Sequence, residues 1–209
     1  MQVDFIASMT MAMSPYPVTI VILAGGLGQR IGGNKGMQML HGKPLVSWVL
    51  DGIGSAGGEV LLNVHIEQES YKNLGYRLIA DKISGWQGPL AGIHAALCAA
   101  ETEYVMSVPC DTPFLPKELR ALLLNAIVNE GTEAAVAVAG GRRQPAIALF
   151  RRQVLPGLEV FLGAGHRKVG DWLNTLRLSE VIFDRAEDFD NINSPEDLLR
   201  AEQRVTMQS

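Results

Sequence analysis

The run Val18-Thr-Ile-Val-Ile-Leu23 constrains the fold more than any other stretch of the chain. It is short, almost wholly apolar and β-branched, and bounded by Pro17 and Gly25, which suits a strand buried on both faces. Such a strand needs helices on both sides of its sheet. "GKPLVSWVLDGIGSAG" supplies the first, with Leu45, Trp48, Val49 and Ile53 at helical spacing and glycines ending the pattern. The chain then reads "EVLLNVHI" and "YRLIA" as strands, "GPLAGIHAALCAAE" as helix, "EYVMSVP" as strand and "PKELRALLLNAIVNEG" as helix. Further on come strands at "EAAVAVA", "PAIALF" and "LSEVIFD", and helices around 154–162 and 170–176. In the closing "NINSPEDLLRAEQRV", Ser194 is the expected N-cap, Pro195 fits the first helical position, and Glu196 and Asp197 favour a helix N-terminus. Strands alternating with helices imply an α/β fold with a mostly parallel sheet.

The 209 residues, 47% hydrophobic and 19% charged, are enough for one sizeable core and too few for two comfortable domains. One domain is expected over residues 18–205, after a disordered leader over 1–17 that carries Asp4 and no Lys or Arg, unlike a secretory signal. A net charge of −4 argues against a general nucleic-acid binder. No apolar run approaches the ~18 residues of a membrane span, so a cytoplasmic location is expected. Cys98 and Cys110, twelve positions apart, suggest neither a disulfide nor a zinc site, and His41, His65, His94 and His166 show no metal-ligand spacing.

The loop after the first strand, Val21 to Gly36, holds six glycines, Arg30 and Lys35, and no acid. Glycines let backbone N–H groups approach a phosphate closely. Two common phosphate loops do not fit: Lys35 is followed by Gly36 rather than Ser or Thr, and Ile31 stands where GxGxxG needs its third glycine. From Phe5 to Leu50 there is no Asp or Glu, while Arg30, Lys35 and Lys43 give a local charge of +3. That field on a glycine backbone suits a triphosphate, with Arg30 and Lys35 as its contacts. For Arg30 a clamp across its own loop is the alternative, and for Lys35 a solvated side chain. Asp111 ends the buried strand "EYVMSVPCDTP", where ligands of open α/β sheets bind, and is the expected Mg²⁺ ligand, with a turn role before Thr112-Pro113 as the alternative. Asn63 and Asp81 also fall at strand carboxyl ends; turn or cap roles stay open for both.

"LAGG", then an Arg, "GG", a Lys and "GKPL" resemble the start of a sugar-nucleotide-type nucleotidyltransferase. In order, "GPLAG" (88–92), "PCDTP" (109–113), "RQPAIAL" (143–149) and "NINSPEDL" (191–198) resemble the molybdenum cofactor guanylyltransferases, over about Val18 to Arg204. The resemblance implies a three-layer, Rossmann-like nucleotidyltransferase fold with a mostly parallel mixed sheet, and transfer of GMP from GTP to the phosphate of molybdenum-molybdopterin. It implies Mg²⁺ on Asp111, and GTP on the backbone of Leu23, Ala24, Gly25 and Gly26 and on Lys35, Asn63 and Asp81. Gly88, Pro89 and Leu90 would lie beside the reacting phosphates, and Asn191 and Asn193, two apart on one face of an extended segment, near the metal and the pterin. Arg142 and Arg143, with His166, Arg167 and Lys168, are a second basic group that could receive the anionic acceptor or simply be solvated. Molybdoenzymes or their cofactor-delivery proteins are the expected protein partners. The chain departs from the family pattern in reading "GGNKG" for "GGxDKG", one residue shorter and with Asn34 in place of the acid, and in Gln144 where His is common. Rival activities are a sister enzyme using CTP or a sugar phosphate, and a GTP-binding module without turnover.

Overall fold

The computed structural model describes residues 16–25, 34–54, 57–64, 68–83 and 88–208. In chain order these form β1 (Val18–Leu23), β2 (Met39–Leu40), β3 (Lys43–Pro44), α1 (Leu45–Ile53), β4 (Gly57–Asn63), α2 (Gln68–Lys72), β5 (Arg77–Ile79), α3 (Pro89–Ala99) and β6 (Tyr104–Pro109). Then follow α4 (Leu119–Glu130), β7 (Ala134–Ala139), β8 (Arg142–Arg151), α5 (Leu155–Gly163), α6 (Val169–Leu173), β9 (Leu178–Phe183) and α7 (Pro195–Gln208). Residues 1–15, and with them most of the expected leader, lie outside the described residues.

The main sheet has seven strands in the order β5-β4-β1-β6-β8-β7-β9. β1 pairs in parallel with β4 and β6, and β4 with β5, while β8 runs antiparallel to both β6 and β7. Val18, Ile20 and Ile22 pack on one face with residues of α1 and α4, and Val21 packs on the other with residues of α3, α5 and α6. The sheet is therefore the middle of three layers, and the mostly parallel mixed architecture expected from the alternation of strands and helices is the one observed. Both-face burial explains why these strands read as continuous apolar runs.

Two local features differ from the sequence expectation. The strand expected from Pro145 begins at Arg142, because Gly140 (φ 57°) and Gly141 (φ 71°) make a tight hairpin turn that sends the charged pair straight back as strand. "GKPL" does not start the first helix: Lys43 and Pro44 pair antiparallel with Met39 and Leu40, and the helix begins at Leu45. Among the described residues no helix is long and apolar enough to cross a membrane.

A third apolar cluster, Leu40, Leu45, Ile192 and Ala201 with Trp48, Phe114, Leu198 and Val205, fastens α7 against the β2–β3 hairpin and α1. Arg204 of α7 pairs with the buried Asp188, donates to the Glu187 carbonyl at 2.9 Å, and lies 4.1 Å over the Phe114 ring. The start of α7 is capped reciprocally. The Asp197 N–H donates to Ser194 Oγ at 3.2 Å, and Asp197 Oδ2 accepts from the Asn193 and Ser194 amides at 2.9 Å each. The Asn193 amide first, then Ser194, hold the Asp197 carboxyl below its ordinary value.

A carboxyl held low in the folded state stabilises the fold above its unfolded pKa and loses that contribution as pH falls through the folded one. Asp197→Ala should cost about 1 kcal/mol at neutral pH, the usual worth of a cap. The gap from the parent should close as pH drops below the ordinary aspartate range, which urea unfolding at a series of pH values would read.

Candidate active site

The parallel register aligns Leu23 with Asn63 on one side and Pro109 on the other, and Asn63 with Ile79, so four strands end together. Short bonds beyond the ladder extend this edge: the Ala24 N–H donates to the Asn63 carbonyl at 2.9 Å and the Cys110 N–H to the Leu23 carbonyl at 3.2 Å. Those two groups of the Leu23-Ala24-Gly25 segment thus serve the sheet. β8 is paired with β6 only up to Ala148 opposite Ser107, so its earlier residues run on past this same edge toward Arg142.

Just past β6, Asp111 is 8% exposed. Its Oδ2 receives the Lys35 ammonium, which also donates to Asn193 Oδ1. Residues separated by 76 and 158 positions meet at one nitrogen. The backbone fixes the same triangle, because the Ile192 N–H donates to the Asp111 carbonyl at 3.0 Å. Ile192 is buried between the exposed Asn191 and Asn193, the alternation of an extended segment. Among the described residues, Asp111 Oδ1 is buried and without a hydrogen-bond partner. A carboxylate oxygen left this way could hold a cation. The donor set of one carboxylate beside neutral oxygens is what a hard divalent ion such as Mg²⁺ takes, with water and ligand oxygens completing its shell. Burial first, then the Asp111 charge, push the neighbouring Cys110 thiol up to about 12, so Cys110 stays neutral beside the carboxylate.

Lys35 opens a turn of 3₁₀ helix, Lys35–Met37, which is held from below. The hydroxyl of the fully buried Tyr71, on α2, donates to Asn34 Oδ1 at 2.7 Å. Gly36 sits so close that an added Cβ would lie 2.5 Å from that hydroxyl and 3.3 Å from the Cys110 side chain. Asn34, standing where the resemblance leads one to expect an acid, is thus the acceptor of a tyrosine latch. Neither α2 nor Tyr71 was legible as part of the site, since a single buried Tyr in a short helix carries no motif.

On the other side of β1, Asn63 is 5% exposed and its Nδ2 donates to Asp81 Oδ1 at 2.9 Å. The pair expected at two separate strand ends is one unit. Gly92 of α3 makes room for it: a Cβ there would lie 2.4 Å from Asn63 Oδ1 and 2.7 Å from Leu23 Cδ2. This explains the second glycine of "GPLAG". The first, Gly88, has φ 134°, with Pro89 opening the helix and Leu90 buried beneath it.

Gly26 and Arg30 lie outside the described residues. Lys43 does not add freely to a positive field, because it pairs with Asp51 and lies 4.8 Å over the Trp48 ring. Of the second basic group, Arg143 is bonded to Glu180 Oε1 and Asn174 Oδ1 at 2.7 Å each. Arg167 donates to the Leu162 and His166 carbonyls at 3.1 and 2.7 Å, and the His166 ring stacks on Phe161 at 4.7 Å. Arg142 and Lys168 are exposed.

The model of the MobA-like NTP transferase domain matches residues 20–181. The chain is 39% identical over 193 residues to a molybdenum cofactor guanylyltransferase of Cupriavidus taiwanensis, covering 90% of this chain and 97% of that protein. It is 38% identical over 185 residues to the protein of the same name from Shewanella putrefaciens, covering 88% and 95%. Among solved structures, molybdopterin-guanine dinucleotide biosynthesis protein A from Archaeoglobus fulgidus superposes with a TM-score of 0.74 at 27% identity, covering 90% of this chain and 99% of that one.

Tyr71→Phe removes only the hydroxyl that holds Asn34. We expect amide hydrogen exchange at Met37 and Gln38, whose N–H groups bond the Asn34 and Lys35 carbonyls, to accelerate by roughly fivefold, the equivalent of about 1 kcal/mol. Exchange in β1 and β6 should stay as in the parent, and unchanged protection at Met37 would show that the hydroxyl holds nothing.

Proposed function

The chain belongs to the MobA-like NTP transferase family, and we propose that it transfers GMP from GTP to the phosphate of molybdenum-molybdopterin. The products are pyrophosphate and the guanine dinucleotide form of the cofactor. The observation that carries this reading is the meeting of Lys35, Asp111 and Asn193 at the carboxyl edge of the sheet, with one Asp111 oxygen buried and, among the described residues, unpartnered.

An acceptor phosphate oxygen must attack the α-phosphorus in line while the bond to the bridging oxygen breaks and pyrophosphate leaves. Little covalent work falls to the protein, which must position the two phosphates and balance their charge. In our reading Asp111 holds Mg²⁺ through Oδ1. That ion, when bound, offsets negative charge on the phosphate oxygens. Lys35 bonds the triphosphate with its third donor, the other two being held by Asp111 and Asn193, so its ammonium stays aimed along one line. We assign Arg30 to the triphosphate as well, and the backbone of Leu23, Ala24 and Gly25 to the nucleotide.

Asn63 and Asp81 line the nucleoside pocket. Because Asn63 Nδ2 donates to both Asp81 Oδ1 and the Ile79 carbonyl, the pair presents acceptors, Asn63 Oδ1 and Asp81 Oδ2, suited to the donor edge of guanine or to ribose hydroxyls. A site of fixed acceptors discriminates strongly against a base that leaves them unpaired. Gly88, Pro89 and Leu90 border the phosphates at the start of α3. Asn193, its Oδ1 turned to Lys35, keeps its side-chain Nδ2 donors for the anionic acceptor, with Asn191 on the same face. We place the reaction in the cytoplasm, with a cofactor-delivery protein or a molybdoenzyme receiving the product.

GTP, CTP, ATP and UTP should be offered in turn with Mg²⁺ and the molybdenum-pterin acceptor, following pyrophosphate and dinucleotide. Product from GTP is expected, and preference for CTP would overturn the base assignment, while GTP affinity without pyrophosphate would favour a binding module. Asp111→Asn should lower turnover by roughly a thousandfold with an unchanged circular dichroism spectrum. Lys35→Ala should raise the GTP Kd by about tenfold, the worth of one charge-assisted bond.

A further inference from the structure

Outside the site above, His94, Cys98 and Glu159 bring three potential metal ligands together, with one atom of each lying within 4.8 Å of the other two. His94 and Cys98 are four apart on α3 and so share a face. Glu159 reaches them from α5, packed alongside. Cys98 Sγ is 3.6 Å from His94 Nε2, and Glu159 Oε1 is 3.5 Å from the same nitrogen.

The two separations from His94 Nε2 match those in a coordination shell. Bond lengths of about 2.0–2.1 Å to nitrogen, 2.3 Å to sulfur and 2.0–2.2 Å to oxygen, at tetrahedral angles, put ligand atoms roughly 3.3–3.6 Å apart. As hydrogen bonds they are long and poorly rewarding. His94 is 4% exposed and its Nδ1 is buried without a partner among the described residues, so Nε2, facing Cys98 and Glu159, carries the polar contacts described for the ring. The Glu159 side chain is 55% exposed, which gives an ion a way in from solvent.

We propose that His94, Cys98 and Glu159 bind a transition-metal ion of borderline softness, of the Zn²⁺ type, with a fourth position left to water. One imidazole, one thiolate and one carboxylate are the mixed donor set that such ions take in preference to Mg²⁺. Binding forms the metal–sulfur bond, breaks the Cys98 S–H bond and releases that proton to water. The two negative ligands cancel the ion's charge. The ion ties the middle of α3, whose first residues Gly88 to Leu90 border the catalytic edge, to α5. Sequence spacing concealed this site, because its third ligand lies 61 residues beyond Cys98 on a separate helix.

Metal-free chain titrated with Co²⁺ reads the site directly. We expect a near-ultraviolet thiolate-to-cobalt band and the visible absorption of a tetrahedral ion, saturating at one equivalent per chain and erased by Zn²⁺. Cys98→Ala should abolish the thiolate band. Glu159→Gln, an exposed change that spares the core, should raise the half-saturating Co²⁺ concentration by about tenfold. Asp111→Asn should leave the band intact. Absence of the band in the parent, its survival in Cys98→Ala, its loss in Asp111→Asn, or unaltered Co²⁺ affinity in Glu159→Gln would each overturn the site. None of these readouts depends on GTP turnover.

Discussion

A buried carboxylate at the end of a central strand is the constraint on which the catalytic edge is organised. Taking Asp111 out of water costs several kcal/mol unless cations and donors replace the solvent it has lost. Lys35 answers one oxygen and, among the described residues, nothing bonds the other, while the Asp111 carbonyl takes the Ile192 amide. Chain segments far apart in sequence are therefore drawn to one point. Everything else at this edge serves to keep them there.

The support reaches outward in two directions. Behind Lys35, the Tyr71 hydroxyl grips Asn34, and Gly36 allows the turn to lie directly on that hydroxyl and on Cys110. Behind Asn193, the Asp197 carboxylate collects two backbone amides, and Ile192 enters the apolar cluster under α7. Lys35 and Asn193 are thus held by elements that contact no substrate in our reading, which is how a long, flexible lysine acquires one direction. The shortened "GGNKG" loop is consistent with this arrangement: Asn34 exchanges a charge that would repel phosphate for an acceptor that satisfies a buried phenol.

Much of the fold was legible along the chain. Continuous apolar runs identified the strands, since burial on both faces removes the need for alternation, and Ser194-Pro195 located the last helix through its cap. The missed features were those in which local signals compete. Arg142 and Arg143 read as loop by charge, yet a two-glycine turn and pairing with β7 make them strand. Lys43 read as part of a positive segment, yet Asp51, in the second turn of α1, neutralises it. Among the candidate site residues, strand ends and the glycine-rich loop single out Asp111, Lys35, Asn63 and Asp81 in the sequence. Their supports, Tyr71, Gly36 and Ile192, were not singled out.

The sequence by itself determined the layered α/β architecture and the family, because periodicity, turn residues and ordered motifs are local properties written in consecutive positions. Only the tertiary structure decided that Asn63 and Asp81 act as a pair, that Lys35 bridges Asp111 and Asn193, and that His94 and Cys98 meet Glu159. The physical reason is one of range. A strand or a cap is settled by neighbours within a few residues, whereas a buried charge or an imidazole nitrogen finds its partner through packing that joins distant segments, and no spacing in the chain records which segments those will be.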